Sequence, residues 1–300
     1  MQLLVYRLVY PLIWCISKLP WKLFYLFSDF VYLLTYYIIG YRRKTVTANL
    51  VLAFPDKSKK EINRIRKAFY THMCDMFLEM IKSLAITEEE IKARFRLKDE
   101  ASLQRLEAEN KSVLVMYAHY ASYEWSNSID LISRYDCVGI YKRIANPHFD
   151  ALLQRIRARF GSPLIESKNV IRKIIQDRRD EKLHFYGMIS DQTPKMQNAT
   201  YWRPFMGVTV PIFLGTQILS KKLDLPVYYM KVTKRKRGFY EAEFVPITTD
   251  PKNCGEYEIV DTYTKLLEAQ IYEQPEFYLW THKRWKFKDF PRPEGAVVAE

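Results

Sequence analysis

Between residues 110 and 285 short apolar runs alternate with helix-like stretches, and few folds satisfy that order. The runs SVLVMYA (112–118), CVGIY (137–141) and LHFYGMIS (183–190) are rich in β-formers and show little polar alternation, the pattern of strands covered on both faces. Helices are expected at 122–133, from Asn146-Pro147 to about Phe160, and at 170–179, 212–223 and 256–272. Pro147 sits at a tolerated early helical position, and Gly161-Ser162-Pro163 stops that helix. Residues 226–234 and 239–247 read as strands joined by a basic turn at Arg237-Gly238, and 276–281 as one further strand. Residues 191–210 read as a long polar loop. Upstream, 45–85 is helical by the three-to-four spacing of Ile62, Ile65, Phe69, Met73, Met76, Phe77 and Met80, and 86–110 is a charged helical connector. The expected fold class is therefore α/β, with a mostly parallel central sheet flanked by helices.

The first 40 residues obey different rules. They are dominated by Leu, Ile, Val, Phe, Tyr and Trp, interrupted by Arg7, Lys18, Lys22 and Asp29. Residues 23–40 are about long enough to cross a bilayer's hydrocarbon, yet Asp29 lies inside them. No small-residue cleavage site ends the apolar stretch, so it does not read as a cleavable signal peptide. Two aromatic-rich helices that lie in the membrane interface, or cross once, are expected; a hairpin of buried core helices is the alternative. Arg42, Arg43 and Lys44 follow at once, which puts that flank on the cytoplasmic side of any span. The expected organisation is a membrane-associating segment over 1–40, an α/β domain over 41–290 (helical lead-in 41–110, core 111–290) and a loose tail over 291–300.

The formal net charge is +13, and the positive charge clusters at 42–67, 231–237 and 283–288. Such an excess implies an anionic partner. An apolar front end with a basic flank already accounts for it as a membrane surface, so no nucleic acid is expected. Apolar residues at 48% exclude wholesale disorder, and nine glycines exclude a collagen-like chain. Cys15, Cys74, Cys137 and Cys254 are far apart, so they offer neither a disulfide framework nor a metal pair; no metal and no cofactor are expected. Neither a GxxxxGK[ST] nor a GxGxxG loop is present.

In open α/β sheets, sites form beyond the carboxyl ends of strands. His119 directly follows SVLVMYA, with Glu124 five residues on at the start of the next helix. A carboxylate that holds one imidazole nitrogen protonated frees the other to take a proton from a hydroxyl. Asp191-Gln192 directly follows LHFYGMIS, a second candidate at a strand end. Arg157 and Arg159, in RIRARFG on the helix between, can bind phosphate or carboxylate. No Gly-x-Ser-x-Gly elbow exists, and nothing around Ser122 or Ser126 marks a nucleophile; His119 is expected to activate a substrate hydroxyl directly.

The block AHYASYEW (118–125) resembles the His-x-x-x-x-Asp/Glu motif of the glycerolipid acyltransferases. The whole chain looks like the late acyltransferases of bacterial lipid A biosynthesis. YRRKTVTANLVLAFPDKS (41–58), Asn146-Pro147, RIRARFG (155–161), SDQTPK (190–195), RPFMGVTV (203–210) and PEFYLWTHKRWK (275–286) match that family's segments in order and spacing. The resemblance implies a glycerolipid-acyltransferase-like core. It implies transfer of a fatty acyl chain from acyl carrier protein to a hydroxyl of a lipid A precursor, at the cytoplasmic face of the inner membrane. It makes His119 the base and Glu124 its orienting partner, with Arg157, Arg159, Asp191 and Gln192 binding substrates. Phe277 stands where Gln is common and Trp285 where Phe is common. Another lipid or glycolipid acceptor, or a non-catalytic surface-binding protein, is the alternative reading.

Overall fold

The computed structural model describes residues 2–299. The chain runs α1 (Gln2–Lys18), α2 (Trp21–Leu33), α3 (Arg43–Ala53), α4 (Lys59–Lys82), α5 (Glu88–Arg94), β1 (Phe95–Leu97), α6 (Glu100–Glu107), β2 (Val113–Tyr117), β3 (Asp136–Tyr141), α7 (Pro147–Arg157), β4 (Leu164–Glu166), α8 (Val170–Arg179), β5 (His184–Ile189), β6 (Tyr201–Phe205), β7 (Val208–Pro211), α9 (Gly215–Leu223), β8 (Val227–Lys236), β9 (Phe239–Thr248), α10 (Glu258–Glu273) and β10 (Val297–Val298). Seven strands form the central sheet in the order β1-β9-β8-β2-β5-β3-β4, and only β8 and β9 pair antiparallel. All five residues of β2 are buried, as its unbroken apolar run requires of a strand covered on both faces. Helices flank the sheet, as the sequence pattern leads one to expect.

Several elements differ from expectation, β4 (Leu164–Glu166) among them. Residues 122–133 wind as a 3₁₀ segment (Tyr123–Leu131) rather than an α-helix. Ser126 Oγ donates to the Tyr123 carbonyl (2.6 Å), Ser128 Oγ to Trp125 (2.7 Å) and Asn127 Nδ2 to Glu124 (3.1 Å), and these three-residue bonds compete with the α-helical ladder. The polar loop 191–210 contains the hairpin β6–β7, which turns at Met206 (φ 52°) and Gly207 (φ 78°) and forms a second small sheet with β10 from the tail. The connector 86–110 includes β1, which adds to the sheet edge through β9. Residues 276–281 form no strand; a 3₁₀ turn (Pro275–Phe277) and a single Tyr120–Tyr278 bridge replace it.

The N-terminal helices expose much of their apolar surface, including Leu4, Leu8, Leu12, Leu26, Ile38 and Ile39. Trp21–Ile39 is long and apolar enough to cross a membrane, with a mean hydropathy of 1.3. Its polar side is nevertheless tied to the body. Tyr25 Oη donates to Glu79 (2.9 Å), Ser28 Oγ to Asp75 (2.7 Å), and Asp29 pairs with Arg237 (2.6 Å). Asp29, the charge that makes a span expensive, thus has its partner in the β8–β9 hairpin.

One glycine fixes how the arginine-bearing helix ends. Gly161 follows the turn after α7 with φ 107°, and a Cβ there would lie 2.4 Å from Asp130 Oδ2. Asp130 cannot yield easily, because its other oxygen accepts from the Cys137 amide of β3. Gly161→Ala is expected to cost about 1–3 kcal/mol, read as a lowered thermal unfolding midpoint. An unchanged midpoint would show that Asp130 moves freely.

Candidate active site

The parallel register of β2 and β5 brings two sequence-distant residues together. Tyr117 lies opposite Ile189, so two residues on, His119 and Asp191 face each other beyond the carboxyl ends of adjacent strands. His119 Nδ1 stands 2.8 Å from Asp191 Oδ1. A carboxylate only accepts, so Nδ1 carries the proton and donates. Nε2 is left with its lone pair, and the exposed Gln192 amide lies 3.4 Å from it. The Tyr123 ring meets the imidazole edge-on at 4.9 Å between centroids and fixes its plane.

Burial by itself lowers the pKa of His119, but the charge and hydrogen bond of Asp191 outweigh it and hold the imidazole above its ordinary 6.5. Burial likewise raises Asp191, and the facing His119 overrides that, keeping the carboxyl below its usual value. The pair therefore favours the charged imidazolium over an isolated histidine, which suits a base that must accept and hold a proton.

Glu124 occupies a neighbouring position with a different commitment. Arg157 grips it with both edges of its fork, Nε at 2.8 Å and Nη2 at 2.5 Å. The expectation that Glu124 orients His119 by a hydrogen bond is not what the side chains do. Both Glu124 oxygens serve Arg157, because the 3₁₀ winding of 123–131 turns Glu124 toward α7. Its charge still reaches His119 and adds to the upward shift. Arg159 joins neither pair; it is exposed and donates to the Ile86 carbonyl (3.3 Å). Of the six residues singled out from the sequence, His119, Asp191 and Gln192 form one group, Glu124 and Arg157 the adjoining pair, and Arg159 stands apart.

Sequence reasoning assigned no role to the segment that backs this group. The Leu279 amide donates to the His119 carbonyl (3.0 Å) and the Ala121 amide to Phe277 (3.0 Å), so 277–279 clamps the backbone on either side of Tyr120. His282 Nε2 accepts from the Thr193 amide (3.3 Å), and Thr193 Oγ1 donates to the Arg284 carbonyl (2.8 Å). Burial, more than any neighbouring charge, pulls His282 down to about 4, so it stays neutral and keeps accepting. The clue was the polar core of THKRWK in an otherwise aromatic stretch. Phe277 packs against His72 and Tyr120, and Trp285 stacks between Phe205 and Trp280, so both departures from the family pattern are packing residues.

Tyr117 and Tyr123 line a cavity of about 30 Å³ beside Glu124 and Arg157, which has the size of a water rather than an acyl chain. Trp125 is core: it is 1% exposed and donates to the Glu79 carbonyl. Among the described residues no three His, Cys, Asp or Glu side chains group as a metal site.

Comparison with known proteins gives the family of the chain. Residues 2–287 match the family described as bacterial lipid A biosynthesis acyltransferase. The chain is 22% identical to lipid A biosynthesis acyltransferase 2 of Shigella flexneri over 245 residues, 81% of this chain and 77% of that one. It is 22% identical to the lipid A biosynthesis palmitoleoyltransferase of Escherichia coli (strain K12) over 261 residues, 85% and 81% of the two chains. It is 20% identical to the lipid A biosynthesis lauroyltransferase of the same organism over 293 residues, 95% and 90%.

Proposed function

Since this chain belongs to the bacterial lipid A biosynthesis acyltransferase family and is an acyltransferase of that route, we propose that it moves a fatty acyl group from the thioester of acyl carrier protein to a hydroxyl of a lipid A precursor, with His119 as general base. The observation that carries this reading is the 2.8 Å contact between His119 Nδ1 and Asp191. With Nδ1 donating, Nε2 takes the acceptor hydroxyl's proton as its oxygen attacks the thioester carbonyl. The tetrahedral oxyanion collapses, the C–S bond breaks, and the imidazolium returns the proton to the leaving thiolate. No covalent enzyme intermediate forms. Gln192 contacts the reacting groups at Nε2. Arg157 steadies Glu124 and keeps Nη1, which bonds nothing among the described residues, for an anionic part of a substrate.

The enzyme works at the cytoplasmic face of the inner membrane. Residues 1–40 associate with the bilayer and 41–290 form the catalytic domain. The Asp29–Arg237 pair and the Ser28–Asp75 bond support a helix that lies in the interface rather than one that spans, because a span would have to leave both partners behind.

The test is a purified reaction of acyl-carrier-protein donor with a lipid A precursor, read by product mass. A product heavier by one acyl chain is expected; no heavier product with any donor would sink the substrate assignment. The pH profile has a fixed sign. The base must be neutral, and Asp191 holds His119 above 6.5, so kcat/KM falls as pH drops through an apparent pKa above 6.5. An acid limb below 6.5 would contradict the Asp191 pairing.

A further inference from the structure

A hollow of about 1130 Å³ opens beside α3, and none of His119, Glu124, Arg157, Asp191 and Gln192 lines it. Val51 and Leu52 supply apolar lining, and Arg42, Arg43, Lys44, Arg66 and Lys288 supply the charge. Lys288 pairs with Asp289, but among the described residues none of the other four meets a carboxylate. The three arginines are held instead by neutral groups. Arg42 Nη1 donates to the Thr281 carbonyl (3.0 Å). Arg43 lies 4.7 Å over the Tyr36 ring. Arg66 donates to Tyr36 Oη (3.1 Å) and Thr47 Oγ1 (2.7 Å). Arg42, Arg43 and Arg66 are thus fixed in place, Lys44 is exposed beside them, and no carboxylate among the described residues compensates the four charges.

Their position also breaks a local rule. Arg42, Arg43 and Lys44 sit at the start of α3, where the helix dipole is already positive, and no acid occupies its first turn. Gly40 (φ 64°) and Arg42 (φ 52°) take left-handed backbone to set up that start. Cations at this end of a helix oppose its dipole, and an anion bound there would relieve the conflict. The exposed Tyr37, Ile38, Ile39 and Tyr41 directly precede this helix start, so the charge meets apolar surface.

We propose that this hollow binds a phospholipid of the bilayer through its anionic phosphate headgroup, with an acyl chain against Val51 and Leu52. The site is separate from the acceptor's reacting hydroxyl. It rests on the membrane-surface part of the proposed function, but not on the chemistry at His119. A free phosphate would leave the apolar wall unused. The occupant therefore carries both a phosphate and a hydrocarbon chain.

The experiment is flotation of the full-length protein with vesicles of phosphatidylcholine alone or with one-fifth phosphatidylglycerol. Wild type is expected to bind the anionic vesicles at least tenfold more strongly. R43Q/K44Q is expected to lose that increment and keep its binding to phosphatidylcholine through α1 and α2. K59Q/K60Q, which removes the same charge from the exposed start of α4, is expected to retain it. Equal loss by both variants would mean that only net charge matters and would overturn the site, as would retention by R43Q/K44Q. So would competition of the increment by inorganic phosphate alone, which would show a bare anion site. R43Q/K44Q is checked for an unfolding midpoint in lipid-free detergent at or above that of wild type, as relief of the helix-dipole conflict requires. Acyl transfer in detergent micelles is measured in parallel: its absence in wild type would remove the enzymatic reading and leave the flotation result standing.

Discussion

Asp191→Asn is expected to lower kcat for acyl transfer by about 10²–10⁴-fold while the protein remains folded. Asn is nearly isosteric, so packing at this buried position survives. What is lost is the charge that stabilises the imidazolium, and with it the acceptor that keeps the proton on Nδ1. If the Asn amide turns its NH₂ toward His119, Nδ1 becomes the acceptor and Nε2 carries the proton, the wrong tautomer for a base. The acid limb of the pH profile moves down as well, because burial then pulls on His119 with less opposition. Glu124→Gln gives a contrasting signature. It strands the partly buried Arg157 and loosens substrate binding, and the acid limb shifts less than in the Asp191 variant, because Asp191 ranks ahead of Glu124 among the charges acting on His119. A limb that moves with Glu124→Gln and stays with Asp191→Asn would return the orienting role to Glu124. Steady-state kinetics from pH 5 to 9 on the two variants decides between them.

The second large effect is on stability. Arg237→Met is expected to destabilise the fold by about 2–4 kcal/mol, somewhat less than the usual cost of breaking a buried pair. Asp75 is 1% exposed at the side chain and accepts from Arg237 Nε (2.9 Å) and Nη2 (2.7 Å). Without the guanidinium it keeps Ser28 and Lys234, the latter at 3.7 Å, which is why the loss stays below the upper range. Asp29 loses its partner too, but it is half exposed and contributes little. Denaturant unfolding measures the total, and proteolysis between α2 and α3 reports whether the N-terminal helices undock. D75N/R237M is expected to recover part of the loss. A double variant no more stable than Arg237→Met would show that stranded charge is not the cause.

The sheet was legible because β2, β3, β5, β8 and β9 are each long enough, or apolar enough, to announce a strand locally. The strands β1 and β4 have three residues each, too few for any periodicity. The β6–β7 hairpin hid behind Pro204, which lies past the part of β6 that β10 covers, and Pro211 on the edge strand β7; both are tolerated there and read as loop in a sequence pattern. At the site, His119 and Asp191 could each be placed at a strand end, but their pairing depends on β2 and β5 being neighbours in register. Periodicity carries no information on adjacency, and proximity in sequence pointed to Glu124 instead. The supporting role of 277–284 was invisible for the same reason, since its contacts with His119 and Thr193 cross tens to more than a hundred residues.

The Asp29–Arg237 pair joins residues 208 positions apart. At ribosomal speeds of about 5–20 residues per second, some 10–40 seconds separate their synthesis. Within that interval α4 can already engage Tyr25 through Glu79 and Ser28 through Asp75, but Asp29 has no partner and Asp75 lacks its guanidinium. On the proposed membrane-bound reading, the bilayer meets the nascent N-terminus first, and the β8–β9 hairpin arrives later to fasten the body onto helices seated in lipid. A chain released before Arg237 emerges keeps only the α2–α4 bonds and lacks the ion-pair lock on its leading helices.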